Sequence, residues 1–251
     1  MLGSAGEFPD LNEQERLDFF RFYAEYVNGR VELLAGTGCI RYADTLALSN
    51  AVYELGYTPM VISPYYFEMD QEKLFVYYDR LAKDVKGDLY LYNFPPRTGH
   101  SIAPETIRRL IDANPNIIGL KDSVSTPGHT NMVCRAVEGK PFTVYSGFDD
   151  QFLSNIANNG GGGCIGALSI IVPEIWSSLV KAANERDFDR PVPPDPEADA
   201  HLRYGHQLLP DSQKAAGAPG TGDQRPGRLP LQPDERRHLS ERRGPAGQRV
   251  G

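Results

Sequence analysis

Residues 88–122 read DLYLYNFPPRTGHSIAPETIRRLIDANPNIIGLKD and hold one full turn of the chain's repeating pattern. Asp88 to Asn93 is a short apolar and aromatic run closed by Pro95-Pro96, as a strand would be. Pro104 suits the first position of a helix, and Ile107, Leu110 and Ile111 then fall on one helical face. Ile117 to Leu120 is a second apolar strand, and it ends in Lys121-Asp122. A strand, a helix and a strand in this order form a βαβ unit, which belongs in a parallel sheet.

The pattern extends in both directions with a period of about 30 residues. Before it, Leu17, Phe20, Ala24 and Val27 share a face, so 11–28 is expected to be helical. A strand at Val31 to Ala35 stops at Gly36-Thr37-Gly38. Asp44 caps a helix to about Leu55. Thr58 to Ser63 is a strand ending at Pro64-Tyr65-Tyr66, and Asp70 caps a helix carrying Leu74, Tyr77 and Leu81. After it come a helix at Thr130 to Val137, a strand at Phe142 to Tyr145 and a helix at Gln151 to Asn158. A strand at Cys164 to Leu168 follows, and then a helix from Pro173 to about Arg186. A doubly wound sheet and a (β/α)8 barrel both fit. The barrel is favoured because polar and aromatic residues follow the strands, where barrel sites are built. No Gly-x-Gly-x-x-Gly follows the first strand, so a dinucleotide crevice is not indicated.

The chain has 251 residues, enough for one domain or a small pair. A net charge of -7 argues against nucleic acid as a partner, since phosphate binding needs a basic face. No apolar run reaches the length of a membrane span, and the N-terminus lacks the pattern of a signal peptide. Cys39, Cys134 and Cys164 are odd in number and in no metal-ligand spacing. They fit a reducing, cytoplasmic compartment rather than a disulfide framework or zinc site.

The candidate chemistry lies on neighbouring strands. A lysine at the end of an apolar strand, such as Lys121, sits at a barrel mouth, where desolvation favours the neutral amine. Such an amine attacks ketones to form a Schiff base. The plainer alternative is a strand-end lysine paired with Asp122. Tyr92 stands one βα unit earlier, and its hydroxyl could relay protons beside the amine; core packing is its ordinary role. Arg97, in the next loop, could fork onto a carboxylate or simply face solvent. Tyr66 is a rim or interface aromatic. The run Gly160-Gly161-Gly162-Gly163 is not followed by Lys-Ser or Lys-Thr, which excludes a P-loop; close backbone approach before the last strand accounts for it better than a phosphate site. His100 and His129 lack a nucleophile at a recognised spacing and read as surface or loop residues.

Tyr92-Asn93-Phe94-Pro95-Pro96-Arg97-Thr98-Gly99 and Ile118-Gly119-Leu120-Lys121-Asp122-Ser123 together resemble the dihydrodipicolinate synthase/N-acetylneuraminate lyase family. Gly3-Ser4-Ala5-Gly6-Glu7, Gly36-Thr37-Gly38, Pro64-Tyr65-Tyr66, Ser146-Gly147 and the glycine run ahead of Ile165 carry the same resemblance, in matching order over 2–190. The resemblance implies a (β/α)8 TIM barrel acting as a class I, pyruvate-handling aldolase or lyase. Lys121 would form the Schiff base with a 2-oxo acid, and Tyr92 would shuttle the proton. The Ser4-Ala5 segment would grip the carboxylate, with Ala5 lacking the hydroxyl the family has there. Ile165 would line the pocket through its backbone, and Tyr66 matches a tyrosine that reaches across a subunit interface. No metal or organic cofactor is implied, because the lysine supplies the electron sink. The substrates would be pyruvate and an aldehyde. Ser4-Ala5, Tyr92-Asn93-Phe94-Pro95 and Lys121-Asp122 look more like the 2-keto-3-deoxy sugar-acid aldolases, while Arg97 pulls toward the dihydrodipicolinate synthases. Another pyruvate lyase or hydratase-aldolase is a further member of the family that these motifs would fit.

Against the family pattern, the first strand, the first helix and most of the second strand would precede Leu2. Residues 1–190 are therefore expected to be an N-terminally truncated barrel, and the family's homotetramer is in question. Residues 191–251 hold half of the chain's 20 prolines and eight arginines but no Phe, Trp, Ile or Met, a composition expected to be disordered. Codons exist for Val192 to Gln213 whose next reading frame encodes a helix-periodic string like the family's C-terminal helices, so this tail is expected to be a frameshift product. Two further readings stand beside the aldolase: an inactive remnant whose barrel cannot close, and a binding protein using the proline-rich segment. Pro193-Pro194 has no Pro-x-x-Pro beside an apolar anchor, which weakens the last.

Overall fold

The computed structural model describes residues 1–185. Among them, six strands form one parallel sheet: β1 (Leu33–Gly36), β2 (Tyr57–Ile62), β3 (Leu89–Asn93), β4 (Ile117–Asp122), β5 (Thr143–Ser146) and β6 (Gly161–Cys164). Their spatial order is their chain order, and the sheet curls as a half-barrel. A complete (β/α)8 barrel has eight strands. Outside β1, the backbone of Met1 continues the pairing: the Gly36 N–H donates to the Met1 carbonyl at 2.8 Å. The stretch 191–251, with its reading as a disordered frameshift tail, lies outside the described residues.

The helices are α1 (Glu13–Val27), α2 (Tyr42–Glu54), α3 (Gln71–Asp84), α4 (Pro95–Thr98), α5 (Pro104–Ala113), α6 (Pro127–Ala136), α7 (Phe152–Ile156) and α8 (Pro173–Glu185). Local chemistry starts several of them. Asn12 accepts from the Glu15 N–H while the Glu15 carboxylate accepts from the Asn12 N–H, a reciprocal cap on α1. Asp70 accepts from the Lys73 N–H at 2.8 Å and caps α3. Pro104 opens α5, as its spacing predicts. Arg97 is not in a loop: the two prolines start the one-turn helix α4, which ends at Gly99 with a φ of +76°.

The period-2 geometry of the strands divides the core into two faces. Val61, Leu89 and Leu91 pack outward against Leu74, Tyr78, Leu81, Ile107 and Leu110 of the helices. Met60, Ile62, Tyr90 and Tyr92 point the other way, into a cluster with Leu2, Phe8, Phe20, Leu48 and Tyr57.

Two register shifts break the regular ladder. Leu89 pairs with Ile117, but Tyr90 pairs with Gly119, so Ile118 is the extra residue of a bulge. Val144 pairs with Gly161 and Tyr145 with Gly163, which leaves Gly162 over. The last strand therefore differs from the expected Cys164 to Leu168. The glycine run itself is the strand, and Leu168–Ile170 is a 3-10 turn. A side chain is excluded there: a Cβ on Gly161 would lie 1.9 Å from the Asn155 carbonyl oxygen. Glycine's poor strand preference hides this pairing from a sequence reading.

Candidate active site

Lys121 and Tyr92 stand opposite each other at the C-terminal ends of β4 and β3. Both are buried, at 7% and 2% exposure. The bulge at Ile118 sets this pairing, since an unbroken register from Leu89–Ile117 would place Tyr92 beside Leu120. Gly119 makes room for the bulge's neighbour, as a Cβ there would lie 2.2 Å from a ring carbon of Tyr90.

The Lys121 Nζ lies 4.6 Å from the centroid of the Tyr92 ring. It has no carboxylate or hydrogen-bond partner among the described residues, so the expected pairing with Asp122 is not formed. Successive strand residues face opposite ways, and Asp122 points to the helix side. There its carboxylate accepts from Asn93 at 2.7 Å, Thr130 at 2.7 Å and His129 at 2.9 Å. A buried amine without an anion is poised as a nucleophile.

The Tyr92 hydroxyl shares a 3.1 Å hydrogen bond with Ser4 Oγ, and either oxygen can donate. Ser4 opens a 3-10 turn, Ser4–Gly6, that ends at Glu7 in the left-handed region, φ +52°. The first N–H groups of such a turn have no acceptor inside it, so those of Ser4 and Ala5 are suited to an anion. The preceding Gly3 backbone reaches the amine closely: a Cβ there would sit 3.6 Å from Lys121 Nζ. Ile165 follows β6, its N–H donates to the Ser146 carbonyl at 2.9 Å, and it packs against the cluster that contains Tyr92.

Two of the sequence-derived candidates stay outside this group. Arg97 is exposed on α4 and has no side-chain partner among the described residues. Tyr66 is 74% exposed and, among the described residues, meets only the ring of Phe67, at 4.9 Å. Ala5 is exposed as well.

Of the two histidines read as surface or loop residues, His100 lies in the loop between α4 and α5 but is buried, and His129 is half-buried on a helix. The Nε2 of His100 lies 2.8 Å from Ser63 Oγ, and burial lowers its pKa. His129 sits on α6, where it bridges Asp122 and the Ile102 carbonyl. Nothing in their spacing signals these partners: Ser63 and Ile102 come from other βα units, and Asp122 from the strand just before the helix of His129. Phe94 adjoins the site: it stacks on Tyr92 at 5.8 Å and meets Phe148 edge-on at 6.2 Å. Its place directly after Asn93 was the available signal. Among the described residues, no group of three or more His, Cys, Asp or Glu could hold a metal, and no helix is long and apolar enough to cross a membrane.

A buried, unpaired lysine beside a tyrosine at the C-terminal mouth of a parallel half-barrel can be compared with known proteins. YagE of Escherichia coli K12, named as a 2-dehydro-3-deoxy-D-gluconate aldolase, is 36% identical over 189 residues, covering 74% of this chain and 62% of its own length. The 4-hydroxy-tetrahydrodipicolinate synthase of Kosmotoga olearia is 35% identical over 193 residues, covering 76% and 65%. The chain thus spans less than two thirds of the length of these curated relatives. The crystal structure of YagE in complex with pyruvate superposes with a TM-score of 0.72 at 29% identity, covering 96% of this chain and 84% of that one. The chloride-inhibited dihydrodipicolinate synthase of Acinetobacter baumannii, also complexed with pyruvate, gives 0.75 at 28% identity, covering 95% and 83%. The match to the Dihydrodipicolinate synthetase family spans residues 1–191, and the chain belongs to that family.

Proposed function

We propose that this chain carries the site of a Schiff-base aldolase or lyase that joins pyruvate to an aldehyde or cleaves the product, with a 2-keto-3-deoxy sugar acid as substrate. The observation that carries it is the buried Lys121 amine, with no anion paired to it among the described residues and 4.6 Å from the ring of Tyr92. The amine attacks the C2 ketone of the 2-oxo acid, the carbonyl oxygen leaves as water, and a protonated imine remains. That cation accepts the electron pair released when C3–C4 breaks, or supplies the C3 carbanion equivalent in the reverse direction. The Tyr92–Ser4 hydroxyl pair passes the proton. The Ser4 and Ala5 N–H groups hold the carboxylate, with backbone donors standing in for the hydroxyl Ala5 lacks. Ile165 closes the pocket beside them. The chemistry needs no metal or organic cofactor, because the iminium nitrogen is the electron sink.

One observation favours a second reading, 4-hydroxy-tetrahydrodipicolinate synthase. Arg97, exposed on the turn directly after the strand that carries Tyr92, has no side-chain partner among the described residues. A substrate with a second carboxylate would engage it. Tyr66, exposed next to Phe67, is assigned to contact a further copy of the chain. Residues 1–190 are assigned as the catalytic domain of a cytoplasmic enzyme, and 191–251 as a frameshifted tail; sequencing the gene tests the latter.

Borohydride reduction in the presence of pyruvate, with intact mass and peptide mapping, tests the site. A reduced pyruvate adduct on Lys121, absent from Lys121→Ala, is expected. A soluble, folded protein that gives no adduct, or one on another lysine, overturns the assignment.

A further inference from the structure

The face of β3 and β4 opposite the amine carries a second polar cluster. Asn93 and Asp122, the residues next to Tyr92 and Lys121, are fully buried there. Asn93 Nδ2 donates to Asp122 Oδ1 at 2.7 Å, and Asn93 Oδ1 accepts from the Ile102 N–H at 3.0 Å. Thr130 donates to Asp122 Oδ2 at 2.7 Å. His129 completes the cluster: Nδ1 lies 2.9 Å from Asp122 Oδ2, and Nε2 lies 3.0 Å from the Ile102 carbonyl and 3.4 Å from Ser101 Oγ.

Ser101 Oγ, at 3.4 Å, can donate or accept. Nδ1 faces a carboxylate oxygen and Nε2, at the shorter of its two distances, a carbonyl oxygen, and both of these can only accept. A neutral imidazole has one N–H and would set a lone pair against one of them. The doubly protonated ring satisfies both and balances the charge of the buried Asp122 carboxylate. The groups facing the ring from neighbouring elements are Asp122 on β4 and Glu105 on α5. On its own helix, Cys134 faces the same carboxylate, and burial with Asp122 behind it pushes that thiol up to about 11.

We propose that His129, as an imidazolium clamped between Asp122 and the Ile102 carbonyl, is a positioning residue that holds the ends of β3 and β4 in register and so keeps Lys121 against Tyr92. The proposal rests on the Schiff-base reading of that lysine. The mechanical link is short. Asp122 and Lys121 are consecutive on one strand, so fixing the carboxylate fixes the direction in which the amine leaves the backbone. Burial opposes the charge on His129, but the hydrogen bond and charge of Asp122 outweigh it and raise its pKa above the usual histidine value. The clamp is thus complete below the ordinary value near 6.5 and is lost as pH rises through the raised one.

Two measurements test this on the full chain. In histidine-15N-labelled protein without substrate, both His129 nitrogens are expected to show the protonated shift near neutral pH. In the borohydride assay, the rate of pyruvate trapping should fall as pH rises from about 6 to about 9 in the wild type. His129→Asn keeps a donor for Asp122 but does not titrate. It should trap about tenfold more slowly at neutral pH, with unchanged half-saturation by pyruvate, and lose that alkaline fall. A neutral ring in the spectrum overturns the proposal, as does an H129N rate and pH profile that superimpose on the wild type. If the wild type forms no adduct at all, the aldolase reading is overturned instead, and the nitrogen spectrum alone decides for or against the clamp.

Discussion

Replacing Tyr92 by phenylalanine separates the proton relay from everything else the residue does. The ring is kept, along with its stack on Phe94 and its place beside the Lys121 amine. Among the described residues, the only interaction removed is the 3.1 Å hydrogen bond to Ser4 Oγ. Ser4 is half-buried, so its freed hydroxyl can turn to water, and the loss is about 1 kcal/mol. For a domain of this size that lowers the melting temperature by about 2–4 °C. The kinetic effect should be far larger, because a positioned acid or base is worth about 100- to 10,000-fold. Two readouts follow it: exchange of the pyruvate C3 protons in D2O by NMR, and the rate of borohydride-trapped adduct. Both should fall by that range in Tyr92→Phe while the melting curve barely moves. A variant that exchanges C3 protons within about threefold of the wild type would show that the hydroxyl carries no relay.

Two predictions concern the scaffold. Gly161→Ala places a Cβ 1.9 Å from the Asn155 carbonyl oxygen, a backbone atom that cannot rotate away, so a loss of about 1–3 kcal/mol is expected by denaturant melting. Gly128→Ala, on α6 with nothing within 4 Å of the added carbon, is the control and should be neutral or slightly stabilising. Asp79 is held below the usual carboxylate range by its hydrogen bonds to Lys83 and Asn114. Its contribution is present above the unfolded value near 3.9 and lost as pH falls through the depressed one. Thermal melts of Asp79→Asn should therefore show a shallower acid limb than the wild type below about pH 4; identical limbs would refute the assignment.

The alternation of strand and helix was legible because each element carries its own period and its own boundary residue. Asp70 and Pro104 act within a few residues of themselves, so local chemistry suffices to place α3 and α5, and the shared face of Leu17, Phe20, Ala24 and Val27 places α1. The candidate amine was legible for a related reason: Lys121 closes the apolar run from Ile117 to Leu120, which by itself puts the amine at a strand end. The partners of Asp122 were not legible. Asn93 reaches it from the preceding βα unit and His129 and Thr130 from the helix that follows β4, and the residue that looked like the natural partner of Lys121 belongs to the opposite face. The glycine strand β6 was misplaced because its residues are chosen by what surrounds the backbone, not by strand preference.

The sequence by itself therefore determined the parallel βα order, the strands that carry Tyr92 and Lys121, and the family resemblance built on their motifs. Only the tertiary structure decided that these two side chains meet. A strand's side chains alternate with period two, so a shift of one residue exchanges its faces. The bulge at Ile118, with Gly119 yielding space to the Tyr90 ring, supplies that shift. It turns Lys121 toward Tyr92 and sends Asp122 to the helices, an outcome set by packing between strands that no single stretch of the chain encodes.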